Sequence, residues 1–268
     1  MSHDQSPKVR KVFTDRNGGI STGAYASFNL GDHVGDDPAA VAHNRQRLAN
    51  VLGLDVGRLV FMEQIHSPNV TEVTADHLAS VVGAGAAGST ASAGATGSTD
   101  TPASPEIEAT DALITTLRGT ALIVLTADCV PVLLSDEDAG VIAAVHAGRM
   151  GARNGILRRT IARMEDLGAV PSNIHALLGA AASGENYEVP QSMAADVESK
   201  LPGSATTTAK GTHGLDIRAG LTRQLLSLGV RSIDADPRCT IDPEHADRFF
   251  SYRREGTTGR QAGVVWMP

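Results

Sequence analysis

The stretch TADCVPVLLSDEDAGVIAAVHAG, residues 126–148, constrains the fold more than any other, because two apolar, β-branched runs flank a short polar one. Residues 131–134 and 140–145 read as strands, and residues 135–139 as the turn between them. The chain therefore doubles back as an antiparallel hairpin. If Leu134 faces Val141 across the turn, the pairing runs back to set Cys129 opposite His146. Directly opposed residues hold their Cβ atoms roughly 4.5–5.5 Å apart, close enough for a thiolate and an imidazole to share one metal ion or one proton. The turn fixes the register, and a slip of one residue would send the two side chains to opposite faces.

The surrounding pattern mixes helices with short strands. Residues 12–35 combine short apolar runs with Gly-Gly and Asn-Gly punctuation, which suggests strands and tight loops. Residues 37–52 read as a helix, capped by Asp36 or Asp37, with Pro38 in its first turn and Val41, Leu48, Val51 and Leu52 at helical spacing. Strands are expected at 59–62 and 69–73, with His66 in or beside the intervening turn. Residues 79–105 are a Gly, Ala, Ser and Thr stretch with a single charge, Asp100, and read as a flexible insertion within one domain. Two strand-like runs then lead into the hairpin. Beyond His146 one helix is expected, with Ile156, Leu157, Ile161, Met164 and Leu167 on its apolar face and Arg158, Arg159 and Arg163 toward solvent. A strand at 174–178, helices at 191–201 and 215–228 and a strand at 263–266 complete the chain. The sum is one α+β domain over residues 1–268 with much antiparallel character.

Composition narrows the function. A net charge of -7 argues against the clustered positive charge of a nucleic-acid-binding surface. The first residues carry charges but no apolar run behind them, and no 18-residue apolar stretch exists, so neither a secretion signal nor a membrane span is expected. The expectation is a soluble cytoplasmic protein whose two cysteines are reduced thiols.

Three stretches carry candidate chemistry. His66, Cys129 and His146 would make a set of two nitrogens and one sulfur suited to zinc, with a fourth position for water or substrate. The residues alone leave two other readings open: Cys129 as a small buried core residue, or Cys129 as a nucleophile with His146 as its base. HAGRMGARNG puts small residues before a helix, whose free amides attract anions, with Arg149 and Arg153 as helpers or as a solvated face. Residues 239–263 gather two Phe, one Tyr, Arg253, Arg254 and Arg260, which could stack on a base and pair with phosphate or simply form a C-terminal clasp. Cys239 reads as a structural thiol, and Asp128 as an acid able to orient a histidine or a substrate amine.

RNGGIS, YASFNLGDHVGDDPAAVAHNRQRL, QIHS, ATDALIT, TADCVPVLL, AAVHAG, YEVP and FFSYRREGTTGRQAG together resemble the laccase-domain, or polyphenol oxidase-like, proteins regarded as purine nucleoside phosphorylases. The likeness spans residues 13–266 apart from the insertion. It implies mixed, largely antiparallel β-sheets packed together and flanked by helices, and it implies that His66, Cys129 and His146 form the metal and catalytic site. It implies phosphorolysis of adenosine, inosine or 5'-methylthioadenosine to free base and ribose 1-phosphate. Adenosine deamination is a second implied activity, and zinc the expected ion, with copper as the alternative. Arg45, Arg149, Arg253 and Arg260 are the candidates for phosphate. The expected partners are small molecules, without nucleic acid or membrane, and the chain is expected as a monomer or homodimer. An amidase acting on a peptidoglycan precursor, or a non-catalytic zinc- or nucleoside-binding module, are the alternatives.

The chain departs from the family pattern at three places. HAGRMG replaces HAGWRG and moves the arginine one position forward, Asn17 stands where a histidine often does, and GAAASGENYEVP lacks the usual cysteines. Oxidase chemistry is expected to be incidental, because the nine histidines include no His-X-His pair and a multicopper site needs several.

Overall fold

A computed structural model describes residues 9–79 and 104–268. The expected insertion at 79–105 falls almost wholly outside the described residues. Two large sheets carry the fold. The first runs β1 (Arg10–Phe13), β13 (Gln261–Trp266), β6 (Ala121–Thr126), β2 (Leu59–Met62), β4 (Glu106–Ile107). The second runs β12 (Ser232–Ala235), β9 (His175–Leu178), β7 (Val130–Asp136), β8 (Val141–Ala147), β5 (Ala112–Thr115), β3 (Val70–Glu72). A small ladder joins β10 (Ala205–Thr207) to β11 (His213–Leu215). Antiparallel pairs predominate, with parallel pairs at β2–β4, β2–β6, β3–β5 and β9–β12.

Strand alternation explains why the sheets stack. Successive side chains point to opposite faces, so Leu122 and Val124 of β6 meet Leu133 of β7 and Ile142 and Ala144 of β8 between the sheets. Ala121, Ile123 and Leu125 face outward from the first sheet onto Leu48 and Ala49 of α1 (Pro38–Leu52). Val132, Leu134, Val141 and Val145 face outward from the second onto three helices. These are α3 (Ile156–Asp166), α4 (Gln191–Lys200) and α5 (Ile217–Ser227). The central strands β2, β5, β6, β7, β8 and β13 are covered on both faces and buried at every residue, whereas the outlying β1, β3, β4 and β12 keep polar, partly exposed positions.

Helix α1 starts where the sequence places it: the Asp37 carboxylate accepts from the Ala39 amide, and Gly53 closes the helix in the left-handed region at φ 72°. Two expectations need correction. The helix after His146 is two helices, α2 (Arg149–Arg153) and α3, because Gly155 adopts φ 84° between them. The hairpin register is shifted by two: Leu134 pairs with Ala143 and Pro131 with His146. A four-residue turn at 137–140 takes up the difference. A shift of two keeps each side chain on its face, so Cys129 and His146 still share one. The residue opposite the cysteine becomes Gly148. Of residues 12–35, only the start joins a strand.

Candidate active site

Cys129 lies just before β7, His146 near the end of β8 and His66 in the loop after β2, at the end of the two sheets. Their ligand atoms lie within 4.8 Å of one another, and Cys129 Sγ is 3.9 Å from His66 Nε2. The His66 and His146 rings meet edge to face at 4.8 Å. Zinc–sulfur and zinc–nitrogen bonds in tetrahedral geometry would set such atoms about 3.6 Å apart, so the donor set fits a single ion after a small adjustment. Gly148 supplies the room. A Cβ there would stand 2.8 Å from His66 Cδ2 and 3.0 Å from Cys129 Sγ. Only a residue without a side chain leaves the space between the three ligands open. Among the described residues this is the one group of three or more His, Cys, Asp or Glu side chains able to hold a metal.

Asp111, which sequence reasoning passed over, organises the group. It is fully buried just before β5, where its Oδ1 receives His146 Nδ1 at 2.8 Å and the His66 amide at 3.0 Å. Its Oδ2 accepts from the Ile65 and Ser67 amides and the Ser67 hydroxyl. Three successive amides thus wrap one carboxylate, and the loop carrying His66 is gathered around it. Gln64 adds a second tie, its amide exchanging two hydrogen bonds of 2.8 Å with the backbone of Leu125. His66 is held at φ 60° and Asp128 at φ 99°, conformations that cost of order 1–3 kcal/mol each and persist where the surroundings dictate them. The bond from Nδ1 to Asp111 leaves His146 Nε2 as the free ligand atom. The only local sign of Asp111 in the sequence is an acid immediately before an apolar strand.

Burial pushes the Cys129 thiol up, but the His146 charge and hydrogen bonds from His146 and His66 outweigh it and bring the thiol down to about 6. Burial draws His146 down, but the Cys129 charge and the Asp111 hydrogen bond lift it to about 9. Without an ion, the pair is a thiolate beside an imidazolium. The thiolate is the form that binds metal.

A cavity of about 840 Å³ opens onto the three residues. Arg149, Arg253 and Arg260 line it, with His33, Tyr187 and Tyr252. Arg253 lies 5.0 Å above the Tyr187 ring and donates to the Glu188 carbonyl. Asp128 turns away from the histidines. Its carboxylate accepts from the Thr240 hydroxyl at 2.6 Å and the Arg253 amide at 2.7 Å, tying the cysteine loop to the C-terminal segment.

The other expected residues are placed elsewhere. Arg45 does not line the cavity: its guanidinium is 3.0 Å from Asp32, donates to the Leu30 carbonyl and covers the Phe61 ring at 3.9 Å. Arg153 is bonded to both carboxylate oxygens of Asp196, at 2.5 and 2.6 Å. The aromatic cluster divides. Phe249 and Phe250 are core, Arg254 binds the carbonyls of Thr240 and Phe249, and Tyr252, Arg253 and Arg260 face the cavity. Cys239 is buried and its sulfur accepts from the Ser183 amide. Asn17 bonds the Asp247 carbonyl. No helix of the described residues is long and apolar enough to cross a membrane.

Two packed, mixed sheets with a His-Cys-His group at one end define the class of this protein. The chain belongs to the multi-copper polyphenol oxidoreductase laccase family, which it matches over residues 10–268. It is 65% identical to a purine nucleoside phosphorylase of Corynebacterium glutamicum over 261 residues, covering 97% of this chain and 95% of that one. A purine nucleoside phosphorylase of Mycobacterium tuberculosis is 49% identical, with 98% and 93% covered. Among solved structures, YlmD from Geobacillus stearothermophilus is similar with a TM-score of 0.81 at 29% identity, covering 97% and 92%. A Neisseria meningitidis protein of the DUF152 family gives 0.77 at 34%, covering 97% and 94%.

Proposed function

We propose that the protein is a purine nucleoside phosphorylase that transfers the ribosyl group of adenosine, inosine or 5'-methylthioadenosine from the base to phosphate. The observation that carries this reading is the convergence of the His-Cys-His group and three arginines on one cavity. Its volume lies within the range of small-molecule sites, about 300–1,000 Å³, and leaves room for a nucleoside beside a phosphate. The names of the relatives point the same way.

His66, Cys129 and His146 would hold the ion, for which we propose zinc: one thiolate and two imidazoles are a zinc donor set, and a multicopper site would need further ligands. When bound, such an ion supplies Lewis acidity to an oxygen of the substrate. Arg149, Arg253 and Arg260 hold phosphate by charge-assisted hydrogen bonds, and Tyr187 gives an aromatic face for the base. The three-ligand set with an open side also suits deamination of adenosine at C6, which we assign as a secondary activity. Purified protein incubated with inosine or adenosine releases base only when phosphate is present, and Cys129→Ala abolishes release. Release independent of phosphate, or unchanged in the variant, overturns the reading. Metal analysis of the same sample identifies the ion.

A further inference from the structure

We propose that His33 is a further catalytic residue, the general acid that protonates the departing purine, held in position by Asp32 and Arg45; this rests on the phosphorylase reading above. His33 lines the same cavity as the metal-binding group and the three arginines. Its Nδ1 lies 3.5 Å from Asp32 Oδ1, and the other oxygen of Asp32 lies 3.0 Å from Arg45. Arg45 is buried, stacked on Phe61 and bonded to the Leu30 carbonyl, so the chain Arg45–Asp32–His33 is anchored in the core at one end and reaches the cavity at the other.

The loop bearing His33 is also locked to the cavity wall. Asn29 Oδ1 accepts from the Gly31 and Arg260 amides, and its Nδ2 donates to the Gly31 carbonyl and to Asp36. Gly31 lies so close to Arg260 that a Cβ there would stand 2.8 Å from Arg260 Cγ. The backbone two residues before His33 is therefore fixed against the proposed phosphate ligand Arg260.

Elimination leads to the same residue. His66 and His146 serve as ligands, and His146 Nδ1 is committed to Asp111. Asp128 accepts two hydrogen bonds and has no proton to give. Carboxylates are ionised at neutral pH and phenols are weak acids near pH 10, whereas imidazole exchanges protons between pH 5 and 8. His33 is the cavity-lining imidazole outside the ligand set. The Asp32 carboxyl is brought down to about 2, chiefly by the hydrogen bond from His33 and then by the Arg45 charge, against an upward push from burial. It stays charged and faces Nδ1, leaving Nε2 as the atom that gives up a proton.

The step balances. A phosphate oxygen forms its bond to C1' as the C1'–N9 bond breaks, and the electron pair of that bond passes into the purine. The proton on His33 Nε2 moves to purine N7, so the base leaves neutral, and His33 regains a proton from solvent. A base already alkylated at N7 needs no such proton.

The test compares inosine with N7-methylinosine, both with phosphate, in wild type, His33→Asn and Asp32→Asn. The His33 side chain is more than half exposed, so its replacement leaves the fold in place. For inosine, His33→Asn lowers kcat/KM by about 10²–10⁴-fold, the usual worth of a general acid, and for N7-methylinosine by less than about threefold. Asp32→Asn gives a smaller loss with the same sparing. In His33→Gly, free imidazole restores base release from inosine. Equal losses on both nucleosides, an unchanged rate on inosine, or no rescue by imidazole each overturn the proposal while leaving the phosphorylase reading standing. Absence of phosphate-dependent release by the wild type removes that reading and this one with it.

Discussion

At the scale of single residues, the site depends on a carboxylate that touches no substrate. Asp111 accepts from His146 Nδ1, three backbone amides and a hydroxyl, so Asp111→Asn keeps the volume but offers an NH₂ where an acceptor is needed. His146 then loses its fixed tautomer and the His66 loop one of its ties. Removal of such an outer partner costs about 10–100-fold in metal affinity, and competition against a chelator reads the loss. Cys129 gives a second prediction. With the metal removed, its thiol at about 6 remains a thiolate down to that pH, so iodoacetamide labels it with a midpoint near pH 6. Buried Cys239 is labelled far more slowly. Added zinc protects Cys129 and leaves Cys239 as it was. Labelling of Cys129 with a midpoint near the ordinary thiol value of about 8.5 would show that the histidines do not stabilise the thiolate.

At the scale of elements, Lys11 joins the two sheets. From β1 it reaches the His175 ring at 2.9 Å and the His175 carbonyl at 2.7 Å on β9, and His175 in turn contacts Asp234 on β12. Burial brings the amine down to about 7, only partly offset by Glu137 and Asp234. A lysine with a folded pKa below its unfolded value binds its proton less tightly when folded, so its contribution to stability rises with pH between about 7 and 10.5. The unfolding free energy of wild type minus that of Lys11→Met therefore increases across this window, and denaturant titrations at pH 7 and pH 10 measure it. A flat difference would place the amine in water. Local pattern was enough to read most elements in the sequence. Helix α1 was legible from Asp37, Pro38 and its spacing, and β2 from its apolar run. The hairpin was legible too, but not its register, because a turn of polar residues permits several lengths and a slip of two leaves every side chain on its own face. Likewise His66, Cys129 and His146 were visible as residue types, but not the bond between Asp111 and His146, which are 35 positions apart. The single helix expected after His146 is divided by Gly155 in its left-handed conformation, which a helical spacing of apolar residues does not reveal.

At the scale of the whole molecule, the cavity exists only when distant parts of the chain have come together. His33 precedes α1, Cys129 lies on the link that leads from β6 in one sheet to β7 in the other, and Arg260 comes immediately before the last strand, which pairs with both β1 and β6. Leu133 sits fully buried between the sheets. Leu133→Ala should cost about 2–5 kcal/mol, measured by denaturant unfolding, and should lower activity only in proportion to the folded fraction. The charge distribution gives a sharper test of the cavity. The protein carries a net charge of -7, yet Arg149, Arg253 and Arg260 line one cavity, which sets three cationic side chains together in a chain of net negative charge. Arg149 and Arg153 both belong to α2, one facing the cavity and the other bonded to Asp196. If phosphate is held where proposed, Arg149→Gln raises the KM for phosphate by about 10–150-fold, the equivalent of one lost charge-assisted hydrogen bond at about 1.5–3 kcal/mol, with a smaller effect on the KM for inosine. Arg153→Gln leaves both within about twofold, since its partner is exposed and exposed pairs contribute little. Salt separates the two further: KM for phosphate in wild type rises with ionic strength, as screening weakens a positive site open to solvent, and the slope is shallower in Arg149→Gln. Equal responses of the two variants would mean that the arginine shifted forward in HAGRMG has lost its hold on the anion.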